Sequence, residues 1–164
     1  MARRTGLREF QLSVAERLRT AATRAALSSK LGFQVAGVSW FVSLHQVSEV
    51  IPMPPFIPVP LTQPWFRGVA NVRGNLYSIV DFGVFMGGAA TSQEGPSRVL
   101  LAGQKFAFNA GLLVSRVLGL RNIAGWQCYE QDGEVRLRDA NGQMWRKLDM
   151  AKLLHQPEFL LIGT

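Results

Sequence analysis

The chain has 164 residues, 18 Lys plus Arg against 11 Asp plus Glu, and a formal charge of +7. That length fits one domain of at most two small subdomains, able to bury roughly 70% of its unfolded surface. The single cysteine, Cys128, excludes a disulfide framework. At 48% hydrophobic and 18% charged the chain is outside the disordered class, and no apolar run approaches the ~18 residues of a membrane-spanning helix.

The charge is concentrated at the start. Residues 1–30 carry seven basic groups (Arg3, Arg4, Arg8, Arg17, Arg19, Arg24, Lys30) against Glu9 and Glu16, a net of +5; residues 31–164 carry 11 basic and 9 acidic groups, a net of +2. The body is therefore nearly neutral, which weakens the inference from high isoelectric point to nucleic acid. The basic start is not expected to be a secretory signal, because Arg8, Glu9, Glu16, Arg17 and Arg19 interrupt any apolar core. A cytoplasmic, reducing location is expected.

Residues 8–27 are expected to form a helix, since Phe10, Val14, Leu18, Ala21, Ala22 and Ala25 recur at three- and four-residue spacing. Ser28, Ser29 and Gly32 end it. Residues 1–30 thus read as a basic helical arm, docked on the body or frayed, with a partner-binding amphipathic segment as the alternative, and 31–164 as the folded domain. The pattern then changes to short strands. Residues 33–43 read as a hairpin turning near Ala36-Gly37, 44–47 as one helical turn, and Glu49-Val50-Ile51 as a strand. Six of the eight prolines fall between Pro52 and Pro64. Each removes a backbone donor, so this segment is a stiff surface connection rather than a central strand.

Two strands flank Arg73-Gly74-Asn75, where Gly-Asn suits a tight turn with positive φ. Asp81 is placed to cap a short helix over 82–86. Residues 87–96 are small and polar and are expected to be a mobile loop. Strands are predicted at 98–101 and 106–114, with Val117, Leu118 and Leu120 following. Residues 121–133 read as irregular. Residues 135–138 and 144–148 pair through Asn141-Gly142, and 149–155 form a last short helix capped by Asp149. Many short strands between glycine and proline turns make a mostly-β domain.

No catalytic constellation is present in this pattern. His45 and His155 are isolated, without cysteines or carboxylates at metal-ligand spacing, and no phosphate-binding glycine loop or nucleophile elbow occurs. Asp81-Phe82-Gly83 lacks the other elements of a kinase. Cys128 has no partner base. The remaining candidates are polar groups at strand ends, Glu49, Asn71, Arg73 and Asp81. Arg73, at a hairpin tip, is either a solvated turn residue bridged to Glu49 or Asp81, or an interface anchor.

Five stretches resemble a known family. Val47-Ser48-Glu49-Val50-Ile51, Pro58-Val59-Pro60 and Gly68-Val69-Ala70-Asn71-Val72-Arg73-Gly74-Asn75-Leu76-Tyr77-Ser78-Ile79-Val80-Asp81-Phe82 are similar to the CheW-like signalling domain. So are Ala110-Gly111-Leu112-Leu113-Val114 with Val117 and Leu120, and the closing segment 148–154. The likeness spans residues 33–155. Ser78, Phe82 and Ser115 depart from the family's usual proline, leucine and acidic residue.

The resemblance implies a mostly-β fold of two intertwined five-stranded SH3-like β-barrels, with an N-terminal helix and a short C-terminal helix. It implies no catalysis and no cofactor. It implies an adaptor that couples a methyl-accepting chemoreceptor tip to the regulatory domain of a CheA-type histidine kinase, at membrane-associated receptor arrays, with no membrane insertion of its own. Within the family, Trp65-Phe66-Arg67-Gly68-Val69-Ala70-Asn71-Val72-Arg73-Gly74-Asn75-Leu76, the Gly87-Gly88 pair and the extra N-terminal helix look most like the adaptors of systems controlling type IV pili and twitching motility. Carried over, the partner-binding residues are Glu49 and Arg73 as a polar pair, Asn71 and Gly74 shaping the turn, and Leu76, Val117 and Leu120 as apolar groove members. The alternative is a small basic β-barrel that binds nucleic acid.

Overall fold

The computed structural model describes residues 3–164, and its elements alternate between two sheets. Helix α1 (Arg3–Ser28) passes directly into β1 (Ser29–Val35), which turns at Ala36-Gly37 into β2 (Val38–Ser43). A 3₁₀ turn at Leu44–Gln46 leads to β3 (Val47–Ile51). The proline-rich segment then crosses to β4 (Phe66–Val72) and β5 (Asn75–Asp81), followed by α2 (Phe82–Phe85), β6 (Arg98–Ala102) and β7 (Ala110–Val114). The chain returns through β8 (Arg116–Asn122), β9 (Gln127–Gln131), β10 (Glu134–Arg138) and β11 (Met144–Leu148), and ends on α3 (Met150–Leu154) and α4 (Pro157–Leu160).

The strand order is β8-β1-β2-β11-β10-β9 in one sheet and β3-β6-β7-β5-β4 in the other. The five-stranded sheet is thus inserted, in sequence, between β2 and β8 of the six-stranded one, and this makes the two units intertwined. The parallel pairs β2–β11 and β5–β7 join strands far apart in sequence, while the other pairs are antiparallel. The first unit has six strands rather than the expected five. Residues 121–133, read as irregular, contain β9, which pairs with β10 through a tight turn at Asp132-Gly133, both at positive φ.

Three apolar clusters explain the packing. A shared core lies between the sheets, where Phe33, Trp40 and Val42 meet Phe82, Leu100, Leu112, Val114, Met150 and Leu154. Tyr77, Ile79, Val99, Leu101 and Leu113 fill the inside of the five-stranded unit, with Phe41, Leu137 and Trp145 inside the other. Strands β6 and β7 serve two clusters at once, Leu100 and Leu112 facing the shared core and Leu101 and Leu113 the barrel interior. Both faces are buried, which is why these strands read as continuous apolar runs rather than alternating ones. Gly111 of β7 has no room for a side chain, since a Cβ there would lie 2.7 Å from the Val99 Cγ1 atom.

Two local expectations change. The segment 87–96, expected as mobile, is anchored at buried Thr91, whose N–H and hydroxyl both donate to Asp81 at 2.8 Å. Strand β7 begins only at Ala110, because residues 104–109 turn back after Gly103. Helix α1 extends beyond the predicted span at both ends, and its described side chains, including Phe10 and Leu18, are exposed.

Candidate functional site: a charged hairpin beside an apolar groove

Val72 and Asn75 are the last paired residues of β4 and β5, so the turn between them consists of Arg73 and Gly74. Their φ values are 53° and 84°, the left-handed pair that a two-residue hairpin needs. The positive-φ residues are therefore Arg73-Gly74, not the expected Gly74-Asn75. Gly74 adopts this conformation freely, whereas Arg73 carries its Cβ penalty. The Asn71 Oδ1 atom holds the turn by accepting from the Gly74 N–H at 2.9 Å.

The Arg73 guanidinium reaches β3, where its Nη1 and Nη2 atoms donate to the two Glu49 carboxylate oxygens at 2.7 Å each. This two-pronged geometry fixes orientation as well as distance. β3 and β4 are opposite edges of the five-stranded sheet. A bond from the β4–β5 turn to β3 therefore requires the sheet to curl into a barrel, and the pair sits at its closure. The Arg73 side chain is 75% exposed and that of Glu49 33%, so water screens the pair and its contribution to stability is small. An exposed, oriented charge pair of little structural value is suited to recognition.

Next to this turn lies a groove of about 590 Å³, lined by Pro55, Phe56, Ile57, Val59, Val69, Asn71 and Leu76. The proline-rich segment forms one wall. Its Ile57 N–H donates to the Val69 carbonyl at 2.8 Å and the Val69 N–H returns a bond to Ile57 at 3.0 Å. Gly68, at φ +145°, makes this approach possible, because a Cβ there would overlap the Ile57 carbonyl. Ile57 is 74% exposed and Leu76 63%. Paired apolar side chains left in water beside an oriented ion pair have the composition of a protein-binding patch.

Glu49, Asn71, Arg73, Gly74 and Leu76 are thus brought to one place. Val117 and Leu120 are on β8, an edge of the other sheet, outside the lining of this groove. Val117 packs against the shared core, and Leu120 is exposed. Asp81 does not face Arg73. It is fully buried and accepts from the Gly83 and Val84 N–H groups as well as from Thr91. The groove-lining Phe56 and Ile57 were not singled out from the sequence. Their signal is a pair of apolar residues between prolines; Phe56 packs in part against the interior of the five-stranded unit, and Ile57 stays exposed.

The six-stranded sheet also carries charge that the near-neutral composition concealed. Arg136 pairs directly opposite Arg146, Arg138 stands over the Tyr129 ring at 5.0 Å, and Arg146 stacks on Trp40 at 4.3 Å. Glu134 bridges to both Arg136 and Arg146. Among the described residues no cluster of His, Cys, Asp and Glu is placed to hold a metal ion, and no helix is long and apolar enough to cross a membrane.

Residues 30–158 match the family model of the CheW-like domain. The chain is 34% identical over 95 residues to protein PilI of Pseudomonas aeruginosa, a match covering 58% of this chain and 53% of PilI, about half that protein's length. The crystal structure of the scaffolding protein TtCheW from Thermoanaerobacter tengcongensis superposes with a TM-score of 0.67 at 18% identity, covering 80% of this chain and 94% of that one. With the family match spanning most of the chain and the same fold in TtCheW, this protein belongs to the CheW-like domain family.

Proposed function

We propose that this protein is a non-catalytic chemosensory adaptor. It couples a methyl-accepting chemoreceptor tip to the regulatory domain of a CheA-type histidine kinase, within a system that controls type IV pilus twitching motility. Its place is the cytoplasmic face of receptor arrays, which it reaches through its partners. The observation that carries this reading is the Arg73–Glu49 pair at the barrel closure beside the exposed Ile57–Leu76 groove. Such a surface offers apolar area for affinity and an oriented pair for register. The similarity to PilI supports the choice of pilus system. No residue is assigned a chemical step.

The test is a titration against the isolated kinase regulatory domain, with duplex and single-stranded DNA run in parallel at two salt concentrations. Saturable micromolar kinase binding, about −8 kcal/mol, that persists at the higher salt supports the adaptor. The second reading, nucleic-acid binding, is favoured by the stripe of Arg136, Arg138 and Arg146 with Tyr129. It predicts DNA affinity that falls steeply with salt and no kinase binding.

A further inference from the structure

The six-stranded sheet has a free edge and an uneven charge at the same place. On one of its faces, Phe33, Trp40 and Val42 are covered by the shared core. The register carries that face away from the core across β11, β10 and β9. Arg146 is the partner of Trp40, Arg136 of Arg146, and Tyr129 of Arg136. Arg138, two residues along β10, shares the face. Arg136 and Arg146 are like charges directly opposite one another, an arrangement that destabilises a sheet. Glu134 alone bridges them among the described residues, 2.6 Å from Arg146 and 3.8 Å from Arg136. Arg138 is in no salt bridge among the described residues. Its guanidinium lies 5.0 Å from the centroid of the Tyr129 ring, which carries it over β9 toward the edge. Three guanidinium groups thus share one carboxylate, a net of +2 on this face.

Strand β9 is the last of the sheet and is exposed from Gln127 to Gln131. Its turn into β10 has two residues, Asp132 and Gly133, which makes Gln131 and Glu134 a hydrogen-bonded pair. The alternation of an antiparallel ladder makes Tyr129–Arg136 and Gln127–Arg138 the next two. The N–H and C=O groups of Cys128 and Glu130 therefore point outward, and among the described residues no strand receives them. An edge of this kind is a template for one more strand. The side chains of Cys128 and Glu130 lie on the face opposite Tyr129 and the arginines.

We propose that β9 takes, by antiparallel strand addition, an extended segment of a protein partner that carries an acidic residue at every second position. Main-chain bonds to Cys128 and Glu130 hold the segment in place. Its acidic side chains fall on the arginine face, where one reaches Arg138 beside Tyr129 and the others offset the charge that Glu134 leaves. The residues between them fall beside Cys128 and Glu130 and are uncharged, because an acid there would meet Glu130. Main-chain pairing thus supplies affinity, and the alternation supplies selectivity. Nucleic acid fits this edge less well. Glu130 and Asp132 on the strand and its turn repel a continuous phosphate backbone, and the outward amides favour a peptide. The site is on the other sheet from Arg73 and is independent of the reading of that surface.

The experiment is an NMR titration of the full, ¹⁵N-labelled chain with the blocked peptide acetyl-Glu-Val-Glu-Val-Glu-amide. Its neutral counterpart acetyl-Gln-Val-Gln-Val-Gln-amide, an acidic version N-methylated at both valines, and a short DNA duplex are run at the same salt. The acidic peptide should shift the Cys128 and Glu130 amides along one saturable curve. The neutral peptide should bind at least about five-fold more weakly, the size of a screened charge pair. The N-methylated peptide, which cannot donate to β9, should give no saturable shift, and the duplex should leave both amides in place. Arg138 is exposed, so Arg138→Gln should keep the fold and erase the preference for acid, while Arg73→Ala should change nothing. Equal affinity of the acidic and neutral peptides, a preference retained in Arg138→Gln, undiminished binding of the N-methylated peptide, saturable shifts confined to other residues, or no saturable shift overturns the proposal. Saturable shifts of the same amides by the duplex overturn it in favour of nucleic acid. Loss of binding in Arg73→Ala also overturns it, because the probe would then be reading the other surface. Failure of kinase binding, with the peptide preference intact, would count against the adaptor reading alone.

Discussion

Arg73 grips Glu49 across the closure of a five-stranded sheet whose opposite edge strands are β4 and β3. The two residues are 24 apart in sequence, and the intervening chain is largely the proline-rich wall of the groove. One contact therefore marks both the curl of the barrel and the end of the candidate interface. It does so with an exposed pair, which costs little to rearrange when a partner arrives.

Arg73→Ala separates recognition from folding. Thermal unfolding should change by less than about 1 kcal/mol, because the pair is solvent-screened. Kinase-domain affinity, measured by calorimetric titration, should fall about tenfold or more, equivalent to ~1.4 kcal/mol. A large loss of thermal stability with affinity retained would make the pair a structural clasp.

Gly68→Ala targets the groove wall. The new methyl group would overlap the Ile57 carbonyl, and φ of +145° strains any residue with a Cβ. The expected destabilisation is about 1–3 kcal/mol. The Ile57 and Val69 amides should lose hydrogen-exchange protection together, since they bond each other's carbonyls. Protection unchanged at both sites would show that the wall does not depend on this approach.

Asp81 is a buried carboxylate satisfied by Gly83, Val84 and both donors of Thr91. Asp81→Ala should destabilise by about 3 kcal/mol, since it strands buried donors. Thr91→Val, which keeps the backbone bond, should cost about 1–2 kcal/mol. In a double-mutant cycle the two should couple by about 1 kcal/mol. Denaturant midpoints measure all three, and strict additivity would refute the anchor.

Asp139 links stability to pH. The Trp145 indole N–H bonded to it at 2.9 Å, opposed by partial burial and aided by the Gln143 and Asn141 backbone N–H groups, lowers its pKa from the ordinary 3.8. The unfolded chain therefore takes up this proton at higher pH than the folded one. The stabilisation is complete above the unfolded value and declines as pH falls through the lower folded value. Asp139→Asn should flatten the stability profile below about pH 4, with Trp145 fluorescence as the readout. An unchanged acid limb would remove the carboxylate from this role.

Turn chemistry was the most legible part of the sequence. Ala36-Gly37 turns as expected between β1 and β2, and the Asp81 and Asp149 caps are both formed. Strand β9 escaped notice because Gln127 to Gln131 is exposed throughout. Without a buried face it has no alternation, and only its pairing with β10 makes it a strand. The Asp132-Gly133 turn was the one local clue. The loop holding Thr91 misled for a related reason. Its composition is that of a mobile segment, and the two bonds of Thr91 to Asp81, ten residues earlier, anchor it.

By itself the sequence determined the β-rich class, the turns and caps, the stiffness of the proline segment, and the motifs that mark the family. These depend on backbone preference and short-range bonding, which neighbouring residues decide. Only the tertiary structure decided that Arg73 chooses Glu49 rather than Asp81, that Val117 and Leu120 lie apart from Leu76, and that Arg146 stacks on Trp40. Those outcomes depend on which strands become neighbours. Pairing between strands distant in sequence is selected by shared burial of two sheets, a property of the whole chain rather than of any window within it.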